Sequence, residues 1–339
     1  MTDVTWLAEP SSAAVRAALE AVAPALAAEP LALPDVTTAK TGPVWQSATA
    51  ALGTGFMVKF AWSRPAALGL AREAGVLTAL AGTVPFLPEV AAASRDPLLL
   101  VTRRVPGRSL FDIADTVDRD GAGEQLATFL AALHHPSARE RAEAAVGQLN
   151  GAQLPPATTG RLRDRFGRWA KPDQRDGILR WCDWADIVLA DPASDVLVHG
   201  DLHGNNQVWD GGRLKIVVDF ETTGAAEPEY DLRVLPGPGM GPGVELIAAV
   251  MRHYERIAGR RLSAERVMAW HLRAALGDAL WRSEAGIPLP DHRTPPEWVD
   301  DLAARFEALG IEPALPGRPS VGAGVTGQTA CPGGGTTIR

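Results

Sequence analysis

At Pro106-Gly107 the chain changes texture, and this break limits the folds open to it more than any other feature. Before it, short β-compatible runs separated by glycines surround one helical stretch. After it, amphipathic helical spacing takes over almost to the end. A Pro-Gly pair interrupts both kinds of element, because proline lacks an N–H and glycine accepts turn conformations, so it makes a natural hinge. The chain has 339 residues, enough for two cores with a cleft between them. The fold class expected is α+β and bilobal: a small antiparallel-sheet lobe over residues 1–104, a larger helical lobe over 105–312, and a disordered Gly-Pro-Ser-Thr-rich tail over 313–339.

Within the first lobe, residues 11–28 have high helix propensity, with Pro24 as a point of interruption. The runs Val36-Thr37-Thr38, Val44-Trp45-Gln46-Ser47 and Phe56-Met57-Val58-Lys59-Phe60 read as an antiparallel meander. Pro65 suits a first helical turn, and the helix it opens runs through Glu73 to about Leu80. Strands near 89–93 and 98–103 complete the order β-β-β-α-β-β. Beyond the hinge, helices are expected near 119–135, 138–148, 158–170, 176–190, 243–258, 263–285 and 296–309. One region departs from this: between Val196 and Phe220 two apolar runs flank Asp210-Gly211-Gly212, a hairpin signal.

Composition excludes several functions. A formal net charge of −7 and a pI near 5.6 argue against a nucleic-acid partner held by its phosphates and suit a cationic ligand. Charge or proline breaks the apolar segments before membrane-spanning length. The start Met1-Thr2-Asp3-Val4-Thr5-Trp6 lacks the basic and apolar regions of a secretory signal. Cys182 and Cys331 lie too far apart to suggest a disulfide framework or a metal cluster, so a cytoplasmic location is expected. Monomer and homodimer both stay open.

The chemistry-bearing stretch is Val198-His199-Gly200-Asp201-Leu202-His203-Gly204-Asn205-Asn206, followed thirteen residues later by Asp219-Phe220-Glu221. Asp201 and Asn206, five apart, with an apolar Val217-Val218 entry to Asp219, closely resemble the catalytic loop and metal-binding Asp of the aminoglycoside phosphotransferase and choline kinase family, distant relatives of protein kinases. The resemblance spans roughly residues 35–310 and implies a protein-kinase-like fold. It also implies transfer of the γ-phosphoryl group of ATP or GTP to a hydroxyl, with Mg²⁺ as cofactor. Phosphoryl transfer is mainly a matter of positioning and charge neutralisation. Asp201 would hold the acceptor hydroxyl and take its proton. Asn206 and Asp219, as hard oxygen donors, would hold Mg²⁺.

By the same resemblance Lys59 is the phosphate-binding lysine, with Glu73 as the opposite charge that steadies its flexible stem. Backbone groups of Arg103 and Val105 would meet the nucleotide ring. His199 is expected to brace the loop from beneath. His203 either approaches the substrate or is solvated. Asp231, in Glu227-Pro228-Glu229-Tyr230-Asp231-Leu232, either supports the catalytic loop or caps a helix. The chain departs from protein kinases: there is no G-x-G-x-x-G before Lys59, Asp219 is followed by Phe220-Glu221 rather than Phe-Gly, and no Ala-Pro-Glu follows. Only Gly42, Gly53 and Gly55 are available for a phosphate-covering loop.

Acceptor contacts in the family come mainly from C-terminal helices. Here Glu221, Asp278, Trp281 and Glu284 are the candidates, with Asp291, Glu297 and Trp298 in the same region. Carboxylates suit ammonium groups and indole faces suit rings or cations, although such residues at helical spacing also serve as solvated faces and core. An aminoglycoside or related antibiotic is the first expectation. A metabolite kinase acting on a sugar, an amino alcohol or an amino-acid-like alcohol is the alternative, as is a nucleotide-binding protein without turnover.

Overall fold

The computed structural model describes residues 4–34, 46–149, 159–191, 194–235, 243–289 and 292–311. The strand expected at 36–38, the first half of the run expected at 44–47, Gly42, Asp291, Cys331 and the tail from 313 lie outside them; of that second run only Ser47 is in a strand. Helix α1 (Ser12–Val22) ends before the proline that was expected to interrupt it, and Pro24–Leu26 forms a separate 3-10 turn. Five strands then make one antiparallel sheet: β1 (Leu31–Ala32), β2 (Ser47–Leu52), β3 (Phe56–Ala61), β4 (Val90–Arg95) and β5 (Leu98–Arg103), in the order β1-β2-β3-β5-β4. Strand β2 reads Ser-Ala-Thr-Ala-Ala-Leu and favours a helix when considered alone. Pairing with β3 from Ser47↔Ala61 to Leu52↔Phe56 overrides that preference. Gly53 and Gly55 belong to the turn joining these two strands.

Alternation along β5 assigns the two faces of the sheet. Leu99 and Val101 pack with Val58 and Phe60 of β3 and Val15 and Leu19 of α1, whereas Leu98 and Leu100 point the other way, onto α2 (Arg64–Leu80). Lys59, between Val58 and Phe60, must therefore face α2. It lies opposite Leu100 in the register, as that geometry requires. Ser63 caps α2, accepting from the Ala66 amide, and Pro65 sits in its first turn.

After the Pro106-Gly107 break come β6 (Arg108–Ser109) and α3 (Leu110–Ile113), then α4 (Arg119–Leu133), α5 (Pro136–Val146), α6 (Thr159–Arg165) and α7 (Pro172–Val188). Strands β7 (Val196–Val198), β8 (Gln207–Asp210), β9 (Arg213–Val217) and β10 (Gly224–Ala226) follow, then α8 (Glu229–Leu232), α9 (Gly243–Ala258), α10 (Ala264–Ala285) and α11 (Pro295–Ala308). The expected hairpin is β8–β9, joined by Gly211-Gly212 and extended by β6 on its far side. A pairing the sequence did not suggest, β7 with β10, holds together the two ends of the catalytic segment. One core cluster runs from Leu70 and Leu77 of α2 through Leu126 and Phe129 of α4 to Leu246 and Val250 of α9. A second cluster joins α6, α7, α10 and α11. Among the described residues no helix is long and apolar enough to cross a membrane.

Helices α4 and α9 touch at Gly123, where an added Cβ would lie 2.5 Å from the Ala249 Cβ. Glycine costs helix stability of about 1 kcal/mol relative to alanine, so it is kept here for the close approach. Gly123→Val regains little of that propensity, being β-branched, and overfills the contact. The expected outcome is a loss of about 1–3 kcal/mol, read as a lower urea midpoint at unchanged slope.

Candidate active site

Where the hairpin opens, its two strands bring Asn206 and Asp219 together. Asn206 directly precedes β8, and the Val218 amide, directly after β9, donates to the Asn206 carbonyl at 2.9 Å. The Asn206 side chain donates its Nδ2 to the Asp201 carbonyl at 2.8 Å, which leaves Oδ1 as a ligating oxygen. Asp219 is left-handed, with φ of 71°. Aspartate tolerates that region better than most residues, at a cost of about 1–2 kcal/mol. An ion pair offsets it: Lys59 Nζ donates to Asp219 Oδ1 at 2.9 Å and to Glu73 Oε2 at 2.7 Å. Glu73 in turn accepts from the Phe220 amide through Oε1 at 3.3 Å. A lysine on the sheet, a carboxylate on α2 and the residues at Asp219-Phe220 thus form one unit spanning the cleft.

Glu221, expected among the acceptor residues, stands beside this unit. Its carboxylate lies 3.6 Å from Lys59 Nζ and packs against α2 near Gly69. The carboxylates of Glu73, Asp219 and Glu221 lie within 4.8 Å of one another, with the lysine ammonium among them. Burial alone would lower the pKa of Lys59, but Glu73, Asp219 and Glu221 outweigh it and keep the ammonium charged. Burial likewise opposes the ionised form of Asp219, and Lys59 wins, so this carboxyl sits below its ordinary range. For Glu221 burial prevails: with Asp219 and Glu73 it pushes the carboxyl up to about 7 against the pull of Lys59. Two oxygens, Asn206 Oδ1 and Asp219 Oδ2, accept no hydrogen bond among the described residues and are hard donors of the kind Mg²⁺ takes.

Asp201 begins the loop that carries Asn206, and its Oδ2 lies 3.4 Å from His203 Nε2. His203 is not free in solvent: its Nδ1 accepts from the Asn205 amide and its ring stacks on Phe111 of α3 at 6.1 Å. His199 is fully buried under the loop, its Nδ1 accepting from the Asp201 amide at 3.1 Å and its Nε2–H donating to the Val218 carbonyl at 2.9 Å. Burial holds its pKa below the ordinary value, so both nitrogens keep these opposite roles.

Asp231, also fully buried, accepts from the His199 and Gly200 amides at 3.0 and 2.8 Å. It lies inside α8, whose N-cap is Pro228, so the helix-cap alternative falls away. Three hydrogen-bond donors surround this carboxylate. The third is His134 Nε2, at 3.1 Å, and Tyr254 of α9 lies 3.1 Å from His134 Nδ1. Burial raises the Asp231 pKa and these donors, His134 foremost, bring it below the usual carboxylate value. Gly200 has φ of 86°, and an added Cβ would meet the Thr222 carbonyl oxygen at 2.5 Å, so the loop here admits only glycine. Arg233 closes the cradle, donating to the Gly200 carbonyl at 2.5 Å.

His134, Tyr254, Arg233 and Phe111 are parts of this site that sequence reasoning missed. Phe111 and Tyr254 lie on α3 and α9, and His134 and Arg233 directly follow α4 and α8, where nothing local sets them apart. Other expected residues are placed differently from one another. The Arg103 N–H is used by the Glu89 carbonyl, so a nucleotide ring would find its carbonyl rather than its amide, and Val105 follows half-buried. Asp278 and Trp281 sit on α10, Asp278 close enough to Asp201 to feel its charge. Glu284 is held by Arg161 and Arg165 at 2.6 and 2.8 Å. Glu297 closes the capping box of α11 with Thr294, and Trp298 is buried against Ala279 and Leu289, so these two serve the fold.

A loop presenting Asp201 and Asn206, a metal-type Asp219 and a lysine clamped to the helix behind the sheet define a kinase-like phosphotransferase. The profile described as the phosphotransferase enzyme family matches residues 42–271, well over half of the chain, and the chain belongs to that family. None of the curated proteins compared matches it in sequence. Among solved structures it is similar to the GDP and kanamycin complex of the aminoglycoside phosphotransferase APH(2")-IIIa, with 17% identity over 86% of this chain and 96% of that one and a TM-score of 0.61. It is also similar to a macrolide 2'-phosphotransferase type I, with 21% identity over 91% and 99% of the two chains and a TM-score of 0.54. A third is the macrolide 2'-phosphotransferase MphH apoenzyme from Brachybacterium faecium, with 23% identity over 80% and 91% and a TM-score of 0.51. At these identities the likeness is one of fold.

The cradle extends into the helical layer through His271 of α10, whose Nδ1–H donates to the Arg233 carbonyl at 2.6 Å while Arg305 donates to its Nε2 at 3.2 Å. Burial, followed by Arg305, pushes the pKa of His271 down to about 4. A group depressed in the folded state stabilises fully above its unfolded pKa and loses that contribution as pH falls toward the folded one. The stability gap between the parent and His271→Asn should therefore narrow between pH 6.5 and 4, by up to about 1.4 kcal/mol per pH unit in urea unfolding. A gap independent of pH would show that His271 is not held neutral.

Proposed function

We propose that this chain transfers the γ-phosphoryl group of ATP or GTP to a hydroxyl of a small acceptor of the antibiotic type. The observation that carries the reading is the Lys59 ammonium shared between Glu73 and Asp219, beside a loop in which the Asn206 amide bonds the Asp201 carbonyl and the Asp201 carboxylate lies 3.4 Å from His203 Nε2. Residues 1–104 act as the nucleotide lobe, and 105–312 as the catalytic and acceptor lobe.

Asp201 receives the acceptor hydroxyl in line with the phosphoryl group and takes its proton as the new bond forms. His199 fixes the Asp201 amide and so the direction of that carboxylate. Lys59 binds the nucleotide phosphates, and Glu73 keeps its stem extended across the cleft. Mg²⁺ held by Asn206 and Asp219 would supply charge neutralisation at the phosphate oxygens. The backbone at Arg103 and Val105 receives the ring. The aminoglycoside and macrolide phosphotransferases that share the fold support an antibiotic acceptor, and the GDP bound in one of them supports a nucleotide donor. The reading takes a small-molecule acceptor, no nucleic-acid or membrane partner, a cytoplasmic setting, and a monomer or a homodimer.

The test is Mg²⁺-dependent transfer of labelled γ-phosphate to a panel of hydroxyl compounds that includes aminoglycosides, macrolides, sugars and amino alcohols. Asp201→Ala is expected to lower kcat by about 10²–10⁴-fold with nucleotide affinity kept, since it removes only proton acceptance and orientation. Lys59→Met is expected to raise the nucleotide KM as well. Equal transfer by Asp201→Ala and the parent would overturn the mechanism, and tight nucleotide binding with no transfer to any acceptor would mark a binding protein without turnover.

A further inference from the structure

The catalytic loop fixes Asp201 through its backbone. The Asp201 amide donates to His199 Nδ1 at 3.1 Å, and its carbonyl accepts from Asn206 Nδ2 at 2.8 Å. Neither bond reaches the carboxylate, whose side-chain torsions they leave free. Among the described residues that carboxylate accepts no hydrogen bond, and its one ion-pair contact is with His203, whose Nε2 lies 3.4 Å from Oδ2. In-line phosphoryl transfer depends on where the accepting oxygen points, so a carboxylate left to rotate loses much of its effect.

His203 is itself firmly held. Its Nδ1 accepts from the Asn205 amide at 3.2 Å, its carbonyl accepts from the Asn206 amide at 3.0 Å, and its ring stacks on Phe111 at an interplanar angle of 12°. Gly204 makes room for that stack, since a Cβ there would lie 2.5 Å from Phe111 Cδ1. An imidazole whose Nδ1 accepts carries its proton on Nε2, so the nitrogen facing Asp201 is a donor. The separation of 3.4 Å exceeds that of a settled N–H···O bond, and a small turn of the carboxylate about its broad terminal torsion closes the gap. With His203 exposed by 30% and Asp201 by 19%, the pair is better sheltered than an ion pair on an open surface.

We propose that His203 is the positioning residue for Asp201: its Nε2–H holds Oδ2, so that Oδ1 faces the acceptor hydroxyl. This rests on the kinase reading of Asp201. In the transfer the hydroxyl oxygen bonds the γ-phosphorus, and the bond from that phosphorus to the β,γ-bridging oxygen breaks to release the nucleoside diphosphate, while the hydroxyl proton passes to Oδ1. His203 neither gives nor takes a proton in this sequence. The competing role for it is local: Nδ1 caps the 3-10 turn Gly204–Asn206. Those roles belong to different nitrogens, so substitution separates them. Gln places an amide nitrogen near the position of Nε2 and lacks the cap, whereas Asn places an oxygen near Nδ1 and lacks the donor.

The test is steady-state transfer of labelled γ-phosphate from Mg-ATP and Mg-GTP to water and to the acceptor panel above. The parent, His203→Gln, His203→Asn and Asp201→Ala are compared, with Mg-ADP affinity as the control for folding. His203→Asn is expected to lower kcat by about ten- to a hundredfold, the effect of losing one hydrogen bond to a charged group, with the nucleotide KM within about twofold of the parent. His203→Gln is expected to restore kcat to within about threefold of the parent. A fast Asn variant beside a slow Gln variant would assign His203 to the turn alone. That result, equal losses in both variants, or no loss in either overturns the proposal, while slow transfer by Asp201→Ala keeps the kinase reading intact. A parent no faster than Asp201→Ala, or one that moves phosphate neither to water nor to any acceptor, overturns the kinase reading and this inference with it.

Discussion

One ammonium group holds the two halves of this molecule in a working relation. Lys59 comes from a sheet strand, Glu73 from the helix packed on that sheet, and Asp219 from the mouth of a hairpin 160 residues later in the chain. Lys59 and Glu73 are largely shielded from water, so each charge needs the other, and Asp219 brings a second carboxylate to the same ammonium. Removing one member would leave the others uncompensated in a poorly hydrated place, which typically costs about 3–5 kcal/mol. The cleft is therefore ordered by mutual electrostatic need, and a phosphate entering it meets a cation already aimed.

The opposite wall depends on a second buried charge, Asp231. It holds the two amides that precede Asp201, and His134, Tyr254 and Arg233 anchor the same cradle from separate parts of the chain. A buried carboxylate surrounded by donors is rigid, because every donor lost exposes an unpaid desolvation cost. The short loop from Asp201 to Asn206 inherits that rigidity through backbone bonds. Positioning accounts for most of phosphoryl-transfer catalysis, so the stiffness of this inner scaffold matters as much as the side chains that face the cleft.

Much of the fold was legible in the sequence, through specific features. The strand near 98–103, the helix opening at Pro65, the Gly211-Gly212 hairpin and the long amphipathic helices were visible because local composition and spacing decide them. The Ala-rich β2 was not, since its residues favour a helix and only pairing with β3 makes them a strand. Lys59 and Glu73 stood out by their order in the chain, but the place of Glu221 beside them depended on how the 3-10 turn at Phe220–Thr222 leaves the left-handed Asp219. His134 and Tyr254 carried no signal at all, because a polar group in a helical core is recognisable only from the partner it meets.

The sequence by itself determined the chemical inventory: which carboxylates, amide and lysine are available, in what order, and on strand, loop or helix. Those properties follow from residue type and from spacing over a few neighbours. The tertiary structure alone decided which charges share a field. It placed Glu221 with the lysine, tied Glu284 to two arginines and buried Trp298. Electrostatic pairing acts across a few ångströms of space whatever the separation along the chain, and a linear reading has no measure of that distance.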